Sequence, residues 1–141
     1  MIRLTGKQFS EQRAEWKAEG KRLKAEVIFA LTRKADDLHT RINIRVDEMF
    51  SRGLVDETRE LLKHGLEQNQ TAMQAIGYRQ VVEHLRGEYS LAETIEQVKI
   101  RTRQFAKRQL TWFRAQKNLE WIELKPDESL EKCAEKIYEA I

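Results

Sequence analysis

Seven cations in a stretch without a single carboxylate are the densest chemical signal in this sequence. Between Gln97 and Leu119 stand Lys99, Arg101, Arg103, Lys107, Arg108, Arg114 and Lys117, with no Asp or Glu among them. The whole chain of 141 residues carries 26 basic and 23 acidic side chains, a net charge of +3. Taking the seven away leaves 19 basic against 23 acidic residues, so a mildly acidic body bears one cationic segment. Such a segment suits a polyanion, phosphates first, because guanidinium forks pair bidentately with phosphate oxygens. The competing reading is a solvated helix face that happens to lack carboxylates.

Gln74-Ala75-Ile76-Gly77-Tyr78-Arg79 is a second unusual element. A glycine within a helical pattern costs about 0.5–1 kcal/mol relative to alanine and is tolerated where something must approach the backbone closely. Beside it stand a ring with a polar tip and a phosphate-pairing fork. Close approach of a nucleic-acid backbone and close packing of two helices both account for it. A third set is Arg41, Arg45, Glu48 and Arg52, which share one helix face by spacing. His39, His64 and His84 have no metal-ligand spacing, and no metal site is expected from them. Cys133, the one cysteine, reads as a small buried hydrophobe and excludes an internal disulfide framework.

Helices must position most of these residues. Leu38, Ile42, Val46 and Met49 make an apolar stripe along a helix over Asp36–Arg52, with the two aspartates at its positive end. Leu54–His64 reads as a second helix and Ala72–Arg86 as a third, with Gly77 inside its pattern. Ser90 and Glu93 have the capping-box form and open the longest helix, to about Gln116. On a helical wheel Leu91, Ile95, Val98, Thr102, Phe105, Gln109 and Trp112 form its expected core face, with Ala106 and Phe113 at the edge. Arg103, Lys107 and Arg114 point roughly opposite. Aromatic side chains beside arginines could stack on an unpaired base, but Trp112 reads as core. Lys7–Ala18 is compatible with a helix, and Ser129–Ile141 forms the last one.

Val27-Ile28-Phe29-Ala30-Leu31 is apolar at every position, as in a strand of a parallel sheet covered on both faces. Asn118–Leu124 is the one other strand candidate. Two short strands do not make an independently stable sheet. Either the first segment is a buried helix, or the rest of its sheet lies outside this chain; the second reading is adopted. No apolar run is long enough to span a bilayer, and no leader peptide is expected. One proline and six glycines do not fit a β-sandwich, a collagen or a long disordered tail. The expected class is mainly α, with one or two short strands.

Four blocks, in order, resemble the tRNA dimethylallyltransferases, also called isopentenylpyrophosphate transferases. They are Leu4-Thr5-Gly6-Lys7 with Ser10; Arg41-Ile42-Asn43-Ile44-Arg45-Val46-Asp47-Glu48-Met49 with Gly53-Leu54-Val55-Asp56-Glu57; Gln74 to Arg79; and Arg101 to Arg114. The resemblance implies transfer of a dimethylallyl group from its diphosphate to N6 of the adenosine 3′ of the anticodon. It implies a P-loop-like α/β fold with a helical insertion, of which residues 1–24 would end the insertion and 25–141 would be the C-terminal helical part. By the same resemblance Gln74, Ala75, Ile76, Gly77, Tyr78 and Arg79 contact tRNA. So do Arg101, Arg103, Lys107, Arg108, Gln109, Leu110, Thr111, Trp112, Phe113 and Arg114. Arg45, with Arg41, would neutralise the leaving diphosphate. The family's Gly-x-x-x-x-Gly-Lys-Thr/Ser phosphate loop has no counterpart here, and the general-base Asp belongs to the same absent portion. No residue of this chain is therefore assigned as catalytic, and the Mg²⁺ that the family uses would find its ligands outside it. The expected partners are tRNA, dimethylallyl diphosphate and the N-terminal half of the enzyme, in a cytoplasmic protein monomeric at full length, with no membrane contact. The alternative is a non-catalytic helical nucleic-acid-binding module that uses the basic helix 97–117.

Overall fold

The computed structural model describes residues 28–117 and 119–139. The expectations for Leu4–Lys7 and Ser10, for a helix over Lys7–Ala18, for Val27 and Asn118, and for the boundary at residue 24 lie outside the described residues. Strand β1 (Ile28–Thr32) leads into helix α1 (Ala35–Ser51). Helix α2 (Leu54–Lys63), a single 3₁₀ turn (Leu66–Gln68), a short α3 (Gln70–Gln74) and α4 (Tyr78–Leu85) follow. The long α5 (Leu91–Arg114), strand β2 (Leu119–Glu123) and α6 (Leu130–Glu139) complete the order. The described chain is mainly helical, as its periodicity predicts.

Helix α1 forms because its apolar residues recur on one face and Asp36 and Asp37 occupy its first turn, where carboxylates complement the N-terminal partial charge. Ile42 and Val46 are buried, with Leu38 and Met49 half-buried beside them, so the predicted stripe is the observed one. It packs on α5, where Val98 joins the same cluster and Leu38, Phe50, Ile76, Ile95 and Ala106 close around it. Leu54 and Thr58 of α2, Val81 and Val82 of α4 and Leu66 of the 3₁₀ turn are also buried, where α2 packs on α4 and the 3₁₀ turn. The Thr58 hydroxyl donates to the Leu54 carbonyl at 2.7 Å, which removes the cost of burying it.

Two expectations need correction. The segment Ala72–Arg86 is not one helix: it breaks at Ala75–Gly77 into α3 and α4. Ala75 is extended, and Gly77 takes φ +117° and ψ −64°, a conformation L-residues rarely adopt. Gly77 is thus a hinge between two helices and not a weak point inside one. The Gln80 side-chain oxygen accepts the Gly77 N–H at 2.9 Å and starts the new helix.

The core face of α5 also differs from the wheel. Thr94 and Val98 are buried, and Thr102, Ala106 and Leu110 are half-buried, an i, i+4 row slanting across the helix. Phe105 is 44% exposed and Trp112 60% exposed, so neither is core. Residues four apart drift about 40° around a helix, so a straight stripe misassigns its far end. The Ser90–Glu93 capping box is present as predicted: the Ser90 N–H donates to Glu93 at 2.8 Å and the Glu93 N–H to the Ser90 hydroxyl at 3.3 Å.

The strands pair in parallel, Ile28 opposite Leu119 through Thr32 opposite Glu123. Among the described residues this is a two-stranded sheet. Ile28 and Leu31 remain 50% and 49% exposed, so the layers that an all-apolar strand calls for do not cover it here. Cys133 is buried in α6, as expected. No described helix is long and apolar enough to cross a membrane.

Candidate nucleic-acid interface

The Gly77 hinge and the basic face of α5 meet. A groove of about 260 Å³ is lined by Met73, Gln74, Ala75, Ile76, Arg79 and Gln80 on one side and by Arg101, Gln104 and Arg108 on the other. Two sequence blocks some 25 residues apart are thereby brought together. Ile76 anchors the hinge by packing against the Ile42–Val46–Val98 cluster, which leaves Gln74 and Ala75 exposed. Gln104 was not among the expected contacts. Its signal was available: it lies three residues after Arg101 and four before Arg108, on the same helix face.

The cations divide into two groups. Lys99 bonds Asp47 of α1 at 2.8 Å and Glu96 at 3.3 Å, and the hydrogen bond to Asp47 holds its pKa above the ordinary lysine value. Arg103 is half-buried and donates to the Asn43 side chain at 2.7 Å. These two fasten α5 to α1, so Arg103 faces its neighbour and not open solvent as the wheel suggested. Arg79 pairs with Glu83 at 3.0 Å. Arg101, Lys107, Arg108 and Arg114 are exposed and make no ion pair with the described residues. The Arg108 guanidinium lies 5.8 Å from the centre of the Phe105 ring, a cation–π arrangement that keeps the ring and fork side by side at the surface.

Beyond the groove, the end of α5 is an exposed aromatic corner. Trp112 and Phe113 meet edge to face with ring centres 5.0 Å apart. Thr111 is exposed, with its hydroxyl returned to the Lys107 carbonyl at 2.9 Å. Gln109, Leu110 and Phe113 turn toward a separate hollow of about 250 Å³ beside Leu31, Leu38 and Leu124. The expected block Lys107–Arg114 is therefore not one surface: Arg108 faces the basic groove, and Gln109, Leu110 and Phe113 face the sheet.

On the other side of the hinge Tyr78 donates its hydroxyl to Glu57 of α2 at 2.5 Å. That hydrogen bond, with partial burial, pushes the Tyr78 pKa up. Glu57 stands in the quoted Gly-Leu-Val-Asp-Glu block, yet nothing in its sequence context marks a contact 21 residues away.

Arg41 and Arg45 differ in availability. The Arg41 Nε donates to Asp37 at 3.0 Å and its Nη2 reaches the Pro126 carbonyl. Arg33 shares Asp37 at 3.1 Å and donates to the Lys125 carbonyl at 2.8 Å, so this pair ties α1 to the segment after β2. Arg45, one turn on, is exposed and makes no ion pair among the described residues. No three of His, Cys, Asp and Glu cluster as a metal-ligand set among the described residues.

Comparison with known proteins places this arrangement in context. A family model described as IPP transferase matches residues 1–116. The tRNA dimethylallyltransferase of Geobacillus thermodenitrificans is 42% identical over 139 residues, which cover 97% of this chain and 42% of that protein. That of Alkaliphilus oremlandii is 44% identical over 105 residues, 74% of this chain and 34% of that protein. The crystal structure of the full-length tRNA isopentenylpyrophosphate transferase of Bacillus halodurans superposes with a TM-score of 0.74 at 39% identity, over 81% of this chain and 37% of that one. The corresponding Staphylococcus epidermidis structure gives 0.69 at 32% identity, over 98% and 46%. This chain thus spans less than half the length of the relatives it matches. A match over most of its length, at such identities and with the same fold, means that the chain belongs to the IPP transferase family.

Proposed function

We propose that this chain is the tRNA- and diphosphate-contacting part of a tRNA dimethylallyltransferase, acting in the cytoplasm where its tRNA substrate is found. The observation that carries the reading is the groove between the Gly77 hinge and α5. There Arg101 and Arg108 stand without carboxylate partners among the described residues, and Gln74, Gln80 and Gln104 add neutral donors and acceptors. Guanidinium and amide groups in this mixture suit a phosphodiester backbone.

In the reaction, N6 of the target adenosine attacks C1 of the dimethylallyl group. The C–O bond to the diphosphate breaks, the diphosphate leaves with the bonding pair, and N6 gives up one proton to a general base that the family resemblance places outside these residues. Negative charge grows on the departing oxygen. A cation already in place stabilises that charge without reorganising. Arg45 is free for this role, whereas Arg41 is held by Asp37 and Pro126 and acts by bracing the helix. Mg²⁺, which the family reading brings, would add charge neutralisation at the diphosphate, and no described residue is assigned to hold it.

Charge reversal of Arg101 and Arg108 together tests the reading. The double variant is expected to bind unmodified tRNA at least about tenfold more weakly at low salt than the parent chain, with a shallower salt dependence. Unchanged affinity would remove the groove from the interface.

A further inference from the structure

A second groove, of about 320 Å³, lies across the hinge from the basic one. Met49, Leu54 and Ile76 provide apolar surface, and Arg52, Glu57 and Tyr78 supply its polar groups. Ile76 lines both grooves, so they adjoin at the hinge. Glu57 is the one carboxylate lining either groove. It makes no ion pair among the described residues; its described side-chain partner is the Tyr78 hydroxyl. Asp56, its neighbour, is by contrast paired with Arg59.

An unneutralised carboxylate next to a phosphate-binding groove repels the polyanion unless it receives a donor from it. Bases and ribose 2′-hydroxyls offer such donors and phosphates do not, and the apolar lining of Met49, Leu54 and Ile76 suits the flat face of a base and not a sugar. We infer that the Glu57–Tyr78 groove is a nucleobase-reading pocket, which takes a base bearing an exocyclic amino group from RNA whose backbone lies in the basic groove. This rests on the RNA-binding reading above. The base would lie on Met49, Leu54 and Ile76 against the Tyr78 ring and donate its amino hydrogen to the Glu57 oxygen that Tyr78 leaves free. Carboxylate acceptance of an amino hydrogen is an established base contact. Uracil has no amino group, and its one imino donor is flanked by two carbonyl oxygens that a carboxylate repels. Arg52, whose Nη2 lies 3.5 Å from Glu48, is loosely enough held to reach a ring acceptor or the adjoining phosphate.

The test is affinity of the full chain for labelled oligo(rA), oligo(rC) and oligo(rU) of one length across a salt series. The parent chain is expected to prefer oligo(rA) and oligo(rC) over oligo(rU) by about tenfold. Glu57→Gln, which keeps an acceptor for Tyr78 but presents an amide, is expected to bring the three within about twofold while leaving the salt slope unchanged. Glu57→Asp withdraws the carboxylate by one methylene and serves in its place if circular dichroism shows the Gln variant unfolded. Equal binding of all three oligomers by the parent chain overturns the pocket and leaves the basic groove standing. So does a preference that survives both substitutions. Absence of binding to any RNA overturns both readings.

Discussion

At the scale of single residues, Gly77 decides whether the hinge exists. Its φ of +117° belongs to a region that side chains disfavour. A Cβ there would meet Leu54 at 3.6 Å and Met49 at 3.8 Å, ordinary contacts, so space is not the obstacle. The penalty of Gly77→Ala is therefore backbone strain. We expect a loss of about 1–3 kcal/mol in stability, read as a lowered urea midpoint with unchanged slope, because the change does not alter the surface exposed on unfolding. An unaltered midpoint would mean that the hinge relaxes freely. The sequence marked Gly77 as unusual but placed it inside a helix, because Ala72–Arg86 has helical composition throughout. The left-handed turn is invisible to periodicity. Trp112 failed for a related reason: helical spacing from Phe105 assigns both to one stripe, and spacing carries no information about whether anything lies against it.

At the scale of elements, α5 does two jobs with different faces. Its Thr94–Val98–Thr102–Ala106 row packs inward, Lys99 and Arg103 bolt it to α1, and Arg101, Arg108 and Gln104 face the groove. The helix begins where the sequence said it would, since Ser90 and Glu93 satisfy backbone donors that no helical carbonyl can reach. Removing that cap by Ser90→Ala is expected to cost about 1 kcal/mol, checked by chemical denaturation. The hydrogen bonds from Ser90 also hold the Glu93 carboxyl below its ordinary pKa. A depressed folded-state pKa contributes stability above the unfolded value and loses it as pH falls through the folded one. Stability should therefore decline as pH drops through and below the ordinary carboxylate range. Glu93→Gln should make that acid limb less steep, and an identical acid limb in the variant would contradict the linkage. Helix α1 was readable almost residue for residue, because a single stripe and an acidic first turn leave little ambiguity. The α5 core row was not, because a row four residues apart slants around a long helix.

At the scale of the molecule, the sheet and the catalytic inventory agree. Two parallel strands with Ile28 and Leu31 half-exposed are a poor sheet by themselves. Both strands were legible, β1 from its unbroken apolar run and β2 from the residues Asn118–Leu124. The layers such a run calls for were equally legible, and among the described residues they are not in place. The 141 residues also contain no Gly-x-x-x-x-Gly-Lys loop to cradle a diphosphate. We therefore expect the chain alone, given dimethylallyl diphosphate, Mg²⁺ and unmodified tRNA, to bind the RNA without modifying it. Adding the portion of a full-length relative that this chain does not match should give transfer, scored by mass spectrometry of the nucleosides. Robust transfer by the chain alone would overturn the division of labour proposed here.

The central claim is that the exposed cations along α5, with Arg101 and Arg108 at the Gly77 hinge, make this chain an RNA-binding surface. The most direct measurement is the affinity of the full chain for unmodified tRNA as salt is raised. Each phosphate neutralised releases counterions and contributes a slope of about −0.7 to −0.9 in log affinity against log salt. Arg101, Lys107, Arg108 and Arg114, exposed and unpaired among the described residues, predict a slope of about −3. A slope near zero, or no binding at low salt, would contradict the account.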